Sequence, residues 1–184
     1  TQIDYNRYTY ESSSNKLKMV VDFNNDPQTK MGDFRTALTH NQYVAKSALT
    51  PTSPAPAFEA ITDYQYDANG NLITDHNKDI ASITYNHLNL PLQITINGKG
   101  TITYTYDAAG NKLRKTTVDN TANPTKTTTT DYMGGLVYEN DLLQFAAHEE
   151  GRVRFIASGS GSPAWAYDYM LKDHLGNIRS LITE

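Results

Sequence analysis

None of the 184 residues is cysteine. Disulfides, thiol catalysis and zinc sites of the cysteine type are therefore excluded. The compartment is left open, because a chain without thiols suits oxidising and reducing surroundings alike. Apolar residues are scarce at 38 %, where a self-sufficient globule carries about 45–50 % with glycine counted. No apolar run approaches the roughly 18 residues of a membrane helix, so no membrane span is expected. Positive charge is in deficit, with 16 Lys and Arg against 20 Asp and Glu and a formal net charge of −4. A non-specific nucleic-acid binder needs a basic face, so no nucleic-acid partner is expected. No long helical pattern is present either.

What the chain has is tyrosine, 13 of them, and a repeated sentence around it. An alternating aromatic run leads into Tyr-Asp, two small residues, Gly-Asn and a short apolar run. Tyr64-Gln65-Tyr66-Asp67-Ala68-Asn69-Gly70-Asn71-Leu72 is one copy, and Tyr104-Thr105-Tyr106-Asp107-Ala108-Ala109-Gly110-Asn111-Lys112-Leu113 is another. Between them lies a degenerate copy, Tyr85-Asn86-His87-Leu88-Asn89-Leu90. Tyr66 to Tyr85 is 19 positions and Tyr85 to Tyr106 is 21. A worn copy opens the chain at Tyr8-Thr9-Tyr10-Glu11, with Asn15-Lys16-Leu17 after it. A variant closes it, Tyr167-Asp168 followed by Asp173-His174-Leu175-Gly176-Asn177-Ile178-Arg179.

Each part of the unit has a physical role. Alternation puts the rings on one face of a sheet and Thr, Gln or Asp on the other. Asp67 and Asp107 stand where a turn favours a carboxylate that accepts nearby backbone N–H groups. Gly70 and Gly110 fall three residues later, where a left-handed residue sends the chain back as the next strand. A period of about 20 residues is then one β-hairpin, and such hairpins gain stability by stacking on neighbours. Further strands are expected at 80–86, 91–97, 101–106, 135–139, 142–147 and 152–157, with Asn140-Asp141 as a two-residue hairpin turn.

The organisation expected is a degenerate repeat at 1–21, an insertion at 22–57 that is Pro-rich at 50–56, and consecutive hairpins over 58–184. A short helix within 33–47 would use Phe34, Leu38 and Tyr43 as anchors. Residues 157–163 read as a flexible loop. Thr1 opens the chain, and residues 178–183 read as a strand in progress at the other end, so a segment of a longer protein is expected.

These motifs together resemble the RHS/YD-repeat proteins. Asp75-His76-Asn77-Lys78-Asp79-Ile80, Tyr85-Asn86-His87-Leu88-Asn89-Leu90-Pro91 and Tyr106-Asp107-Ala108-Ala109-Gly110-Asn111-Lys112-Leu113-Arg114-Lys115 look like successive repeats of the large bacterial members. Gly134–Asn140 and His148–Val153 continue the pattern, and Asp173-His174-Leu175-Gly176-Asn177-Ile178-Arg179 resembles the opening of the RHS-associated core. The resemblance covers residues 60–182 well and 1–21 weakly. It implies an all-β, antiparallel hairpin ribbon, curved in the relatives into a hollow shell. In bacterial relatives the shell encloses a variable C-terminal toxin, and teneurins use a similar shell in adhesion. The self-cleaving core of the family has an Asp-Pro-x-Gly type motif that no residue here matches, so no catalytic role carries over. The motif positions carried over are turn positions: Tyr66, Asp67, Gly70, Asn71, Tyr85, Asn86, Tyr106, Asp107, Gly110, Asn111, Asp173, His174, Gly176, Asn177 and Arg179.

His40, His76, His87, His148 and His174 show no metal-ligand spacing. Asp173-His174 could form an acid–base couple, but adjacent residues usually point apart. Asp22-x-Asn24-x-Asp26 with Asp33 echoes a calcium loop, yet Pro27 stands where glycine is needed. Ser160 lacks the strand–turn–helix setting of a nucleophile. No catalytic, metal or cofactor-binding residue is expected. The reading is a structural, non-enzymatic segment of a secreted or surface-delivered bacterial protein, its partner the rest of its own parent chain with a C-terminal toxin or effector. The alternatives are a glycan- or partner-binding module using exposed tyrosines, and a wall of a self-cleaving core. Cut strand edges would also favour edge-to-edge self-association.

Overall fold

The computed structural model describes residues 5–24, 34–156 and 164–184. The fold is all-β and antiparallel, with two short helices. β1 (Asn6–Tyr10) and β2 (Leu17–Asp22) form a two-stranded sheet. Twelve further strands follow in sequence order in one sheet, each bonded to the next. They are β3 (Tyr64–Tyr66), β4 (Leu72–Asp75), β5 (Ile80–Tyr85), β6 (Pro91–Ile96), β7 (Gly100–Tyr106), β8 (Lys112–Asp119), β9 (Lys126–Met133), β10 (Leu136–Glu139), β11 (Leu142–His148), β12 (Gly151–Ile156), β13 (Ala164–Lys172) and β14 (Ile178–Thr183). The chain divides into two compact units, residues 1–101 and 102–184.

The first unit holds most of the apolar core. Met19 and Val21 alternate on one face of β2 and pack against Phe58 and Ile61, with Phe23 and Leu49 at the margin. Burying residues of this size stabilises by about 1.5–3 kcal/mol each. Phe58 arrives on α2 (Ala55–Glu59), a single helical turn built from the Pro-rich stretch. Pro54 caps it in an extended conformation, and Pro56 sits in its first turn, where a missing N–H costs nothing. The guanidinium of Arg7 lies 3.8 Å above the Phe58 ring.

The expected helix within 33–47 shrinks to α1 (Tyr43–Ser47). Of the three expected anchors Leu38 does not serve, being 79 % exposed, while Phe34 and Tyr43 are half-buried. The buried residues of this stretch are His40 and Lys46. Around α1, polar groups rather than an apolar stripe are what the chain buries.

Among the described residues of the second unit the buried hydrophobic one is Ala166, and Thr130 and Asp168 are buried too. Its order comes from cross-strand pairing. β8 and β9 put Thr116 opposite Thr129 and Thr117 opposite Thr128, with Arg114 opposite Asp131. β12 and β13 pair without interruption from Gly151↔Tyr169 to Ile156↔Ala164. Asn140 (φ 49°) and Asp141 (φ 66°) make the two-residue turn between β10 and β11, both left-handed as a primed hairpin turn requires.

Candidate functional site

Four turns share one hydrogen-bond plan. In the first, Asp67 Oδ1 accepts from the N–H groups of Asn69 and Asn71 at 2.9 and 2.8 Å, and Asp67 Oδ2 accepts from Asn71 Nδ2. The backbone closes with Asp67 N–H to Asn71 O and Gly70 N–H to Asp67 O. Asp107 does the same with Ala109, Asn111 and Gly110. Asp173 repeats it with Leu175, Asn177 and Gly176. The degenerate copy uses Asn86 Oδ1 for Leu88 and Leu90, and Asn89 at φ 58° replaces the glycine. Gly70, Gly110 and Gly176 have φ of 86°, 88° and 83°, a region that disfavours any residue with a Cβ. The Asn71 side chain and neighbouring N–H groups hold Asp67 below the usual carboxylate range, and Asn111 does so for Asp107.

The tyrosines before the turns tie one hairpin to the previous one. The Tyr66 hydroxyl donates to Leu17 O at 2.9 Å, and the Tyr85 hydroxyl donates to Leu72 O at 2.6 Å. Each accepting carbonyl opens the return strand of the preceding copy. In Tyr104 and Tyr106 the rings lie 6.2 Å apart along β7. The worn first copy reverses differently, with Glu11 N–H bonding Lys16 O and Ser13 left-handed at φ 57°. That loop is one residue longer than the aspartate turns.

A second constellation joins residues that no local motif connects. Asp63, fully buried, stands just before β3 and accepts from three sides. His40 Nε2 is 2.9 Å from its Oδ1, while Lys46 Nζ at 2.7 Å and the Val20 N–H at 2.8 Å share its Oδ2. Lys46 Nζ also donates to Asn77 Oδ1 at 2.7 Å. Asn77 lies in a single 3-10 turn, His76–Lys78, whose N–H groups at Asn77 and Lys78 are capped by Asp75. Asp79 then takes a left-handed conformation and accepts from Thr39 and Lys99.

Chemistry here is set by burial. His40 Nδ1 accepts the Gln42 N–H, so the ring proton sits on Nε2 and points at Asp63. Both ring nitrogens are thus committed, and the His76 ring meets His40 edge-on at 5.4 Å. Burial lowers the pKa of His40 and of Lys46 and raises that of Asp75. Burial, assisted by Asp75, pushes the Tyr64 phenol up to about 12. The His40 shift has a consequence for stability. Below its ordinary value of 6.5 the unfolded chain takes up a proton that the folded ring resists, so stability falls as pH drops. The melting temperature of the first unit is expected to decline from about pH 7 to about pH 5, and His40→Gln is expected to flatten that slope. Thermal scans across this range, with equal slopes for both proteins, would remove the assignment.

Of the other sequence candidates, His87 and His174 are exposed in turns. Asp173 is used by its turn and by Arg179 Nε at 2.8 Å, and no Asp173–His174 couple forms among the described residues. Tyr167-Asp168 is no turn: both lie within β13. Asp168 is instead fully buried and accepts from Arg152 Nε, Arg154 Nε and Thr183 Oγ1 at 2.8–2.9 Å. Arg154, Arg152 and Thr183 hold its carboxyl well below the usual range. His148 leans on Tyr167 and Tyr169, whose rings stack at 6.3 Å and 15°. Asp22 Oδ1 accepts from the Tyr5 and Asn24 N–H groups. Asp26, Asp33 and Ser160 lie outside the described residues. Among the described residues no cluster of His, Asp and Glu is arranged to hold a metal ion, and no helix is long and apolar enough to cross a membrane.

No protein-family model matches the chain, and no curated protein matches it.

Proposed function

We propose that the chain is a structural segment of a large RHS/YD-repeat protein, one stretch of a β-wall that encloses or presents a C-terminal toxin or effector. The observation that carries the reading is the recurrence of one turn plan at Asp67, Asn86, Asp107 and Asp173. Four independent turns with the same acceptor, the same left-handed position and the same closing carbonyl indicate a repeated building unit. The tyrosine ties from Tyr66 to Leu17 and from Tyr85 to Leu72 give that unit a rule for stacking on its predecessor. Delivery to the cell surface or outside follows from the same proposal. The test is the longer natural polypeptide in which this segment occurs, imaged as single particles and subjected to limited proteolysis. A hollow particle that shields the polypeptide following the segment is expected. Digestion of that polypeptide as fast as when it is expressed alone would contradict the reading.

A binding role has one observation of its own. Trp165 and Tyr167, both about half exposed, share a face of β13 with Tyr169, and Phe155 meets Trp165 edge-on at 5.4 Å. Such a row suits stacking on sugar rings. The chain has a single tryptophan, so its fluorescence reports on this face alone. Emission that changes on titration with a polysaccharide supports the binding role, and emission unchanged across a glycan panel removes it.

A further inference from the structure

We propose that Lys46 and Asn77 are the two partners of an intramolecular isopeptide bond that the chain forms by itself, with Asp63 carrying the protons. The Lys46 amine lies 2.7 Å from Asn77 Oδ1 and 2.7 Å from Asp63 Oδ2. All three residues are sealed from water, Lys46 at 1 %, Asn77 at 3 % and Asp63 at 0 % exposure. A buried ammonium is an unusual choice for a helix of only five residues. A buried amine pressed against a carboxamide and a carboxylate is, however, the full set of groups needed to exchange one amide nitrogen for another.

The reaction is balanced within the cluster. The Lys46 ammonium passes one proton to Asp63 along their existing hydrogen bond, which removes two buried charges at once. The freed lone pair attacks Asn77 Cγ, and the Nζ–Cγ bond forms. One of the two remaining amine protons moves by way of Asp63 to Nδ2, and the Cγ–Nδ2 bond breaks. Nδ2 leaves as ammonia and takes up the proton first removed, so ammonium departs and Asp63 is again a carboxylate. No oxidant, reductant or further reactant is needed.

Geometry supplies the rest. Asp75 fixes the 3-10 turn that presents Asn77, and the Tyr64 hydroxyl lies 3.3 Å from the departing Nδ2. His40 holds the other oxygen of Asp63, so the carboxylate cannot rotate away. Reactants held at contact in a dry site need little further entropy to react. Burial also lowers the Lys46 pKa, which favours the nucleophilic amine. The product would join α1 covalently to the turn between β4 and β5, across 31 positions of a chain without cysteine. This inference rests on side-chain geometry and stands apart from the scaffold reading.

Intact-mass spectrometry of the folded full chain, followed by peptide sequencing, is the test. The expected result is a mass one ammonia below the sequence mass and a branched peptide joining Lys46 to Asn77. Asn77→Ala is expected to restore the full mass for its sequence, and so is Asp63→Asn, with circular dichroism reporting whether each variant is folded. A folded wild-type chain at full mass overturns the proposal. So does loss of ammonia without a branched peptide, which marks a succinimide, and so does loss of water with Lys46 joined to Asp63. An Asn77→Ala chain still one ammonia light overturns it as well.

Discussion

Asp63→Ala is expected to unfold much of the first unit, lowering its stability by about 3–5 kcal/mol. The magnitude follows from what the carboxylate holds. Removing it leaves the Lys46 ammonium buried without its counter-charge, and leaves His40 Nε2 and the Val20 N–H without an acceptor. Each of those groups is sealed from solvent and cannot turn to water instead. The apolar cluster of Met19, Val21, Phe58 and Ile61 lies on the same strand–insertion junction and would loosen with it. Without Asp63 there is also no base for the proposed cross-link, so the covalent and the electrostatic tie fail together. Chemical denaturation followed by circular dichroism gives the loss directly. A variant within about 1 kcal/mol of the parent would show that Asp63 is not the anchor of the insertion.

Gly151→Ala is expected to cost the second unit about 3 kcal/mol, at the upper end for forcing extra volume into a packed site. A Cβ at position 151 would overlap the carbonyl oxygen of Asp168 and stand 3.2 Å from the Tyr169 Cα. Both obstacles are backbone, so no side-chain rotation relieves the clash. β13 would have to move off β12, and Asp168 would move with it. That carboxylate gathers Arg152 and Arg154 from β12 and Thr183 from β14, so three strands lose their common point. Amide hydrogen exchange is expected to show protection falling across β12, β13 and β14. Unchanged exchange in those strands would mean that the close approach of Gly151 to Asp168 does not govern the sheet there.

The turns were legible because their chemistry is local. Asp67, Gly70 and Asn71 satisfy one another within five positions, and the residue types alone state the plan. Even the degenerate copy is readable, since Asn86 keeps an oxygen where Asp has one and Asn tolerates the left-handed position at 89. The anchor was not legible. Lys46, His40 and Asn77 lie 17, 23 and 31 positions from the groups they bond, and nothing in a polar stretch distinguishes a buried lysine from a solvated one. Leu38 pointed the other way, toward an apolar contact that does not form. Asp168 was hidden for a related reason. Tyr167-Asp168 repeats the letters of the turn, but no glycine follows three residues later, and the strand runs on to Lys172. The missing glycine was the available signal.

The repeated turn is the centre of the account, and amide hydrogen exchange resolved by residue tests it most directly. In the Asp107 turn the N–H groups of Ala109, Gly110 and Asn111 all donate to Asp107, and the corresponding three donate to Asp67 and to Asp173. These surface amides are expected to exchange slowly, and Asp107→Ala is expected to release those of Ala109 and Asn111 while leaving the Asp173 turn unchanged. Rapid exchange at Asn71, Asn111 and Asn177 in the parent chain would contradict the shared plan.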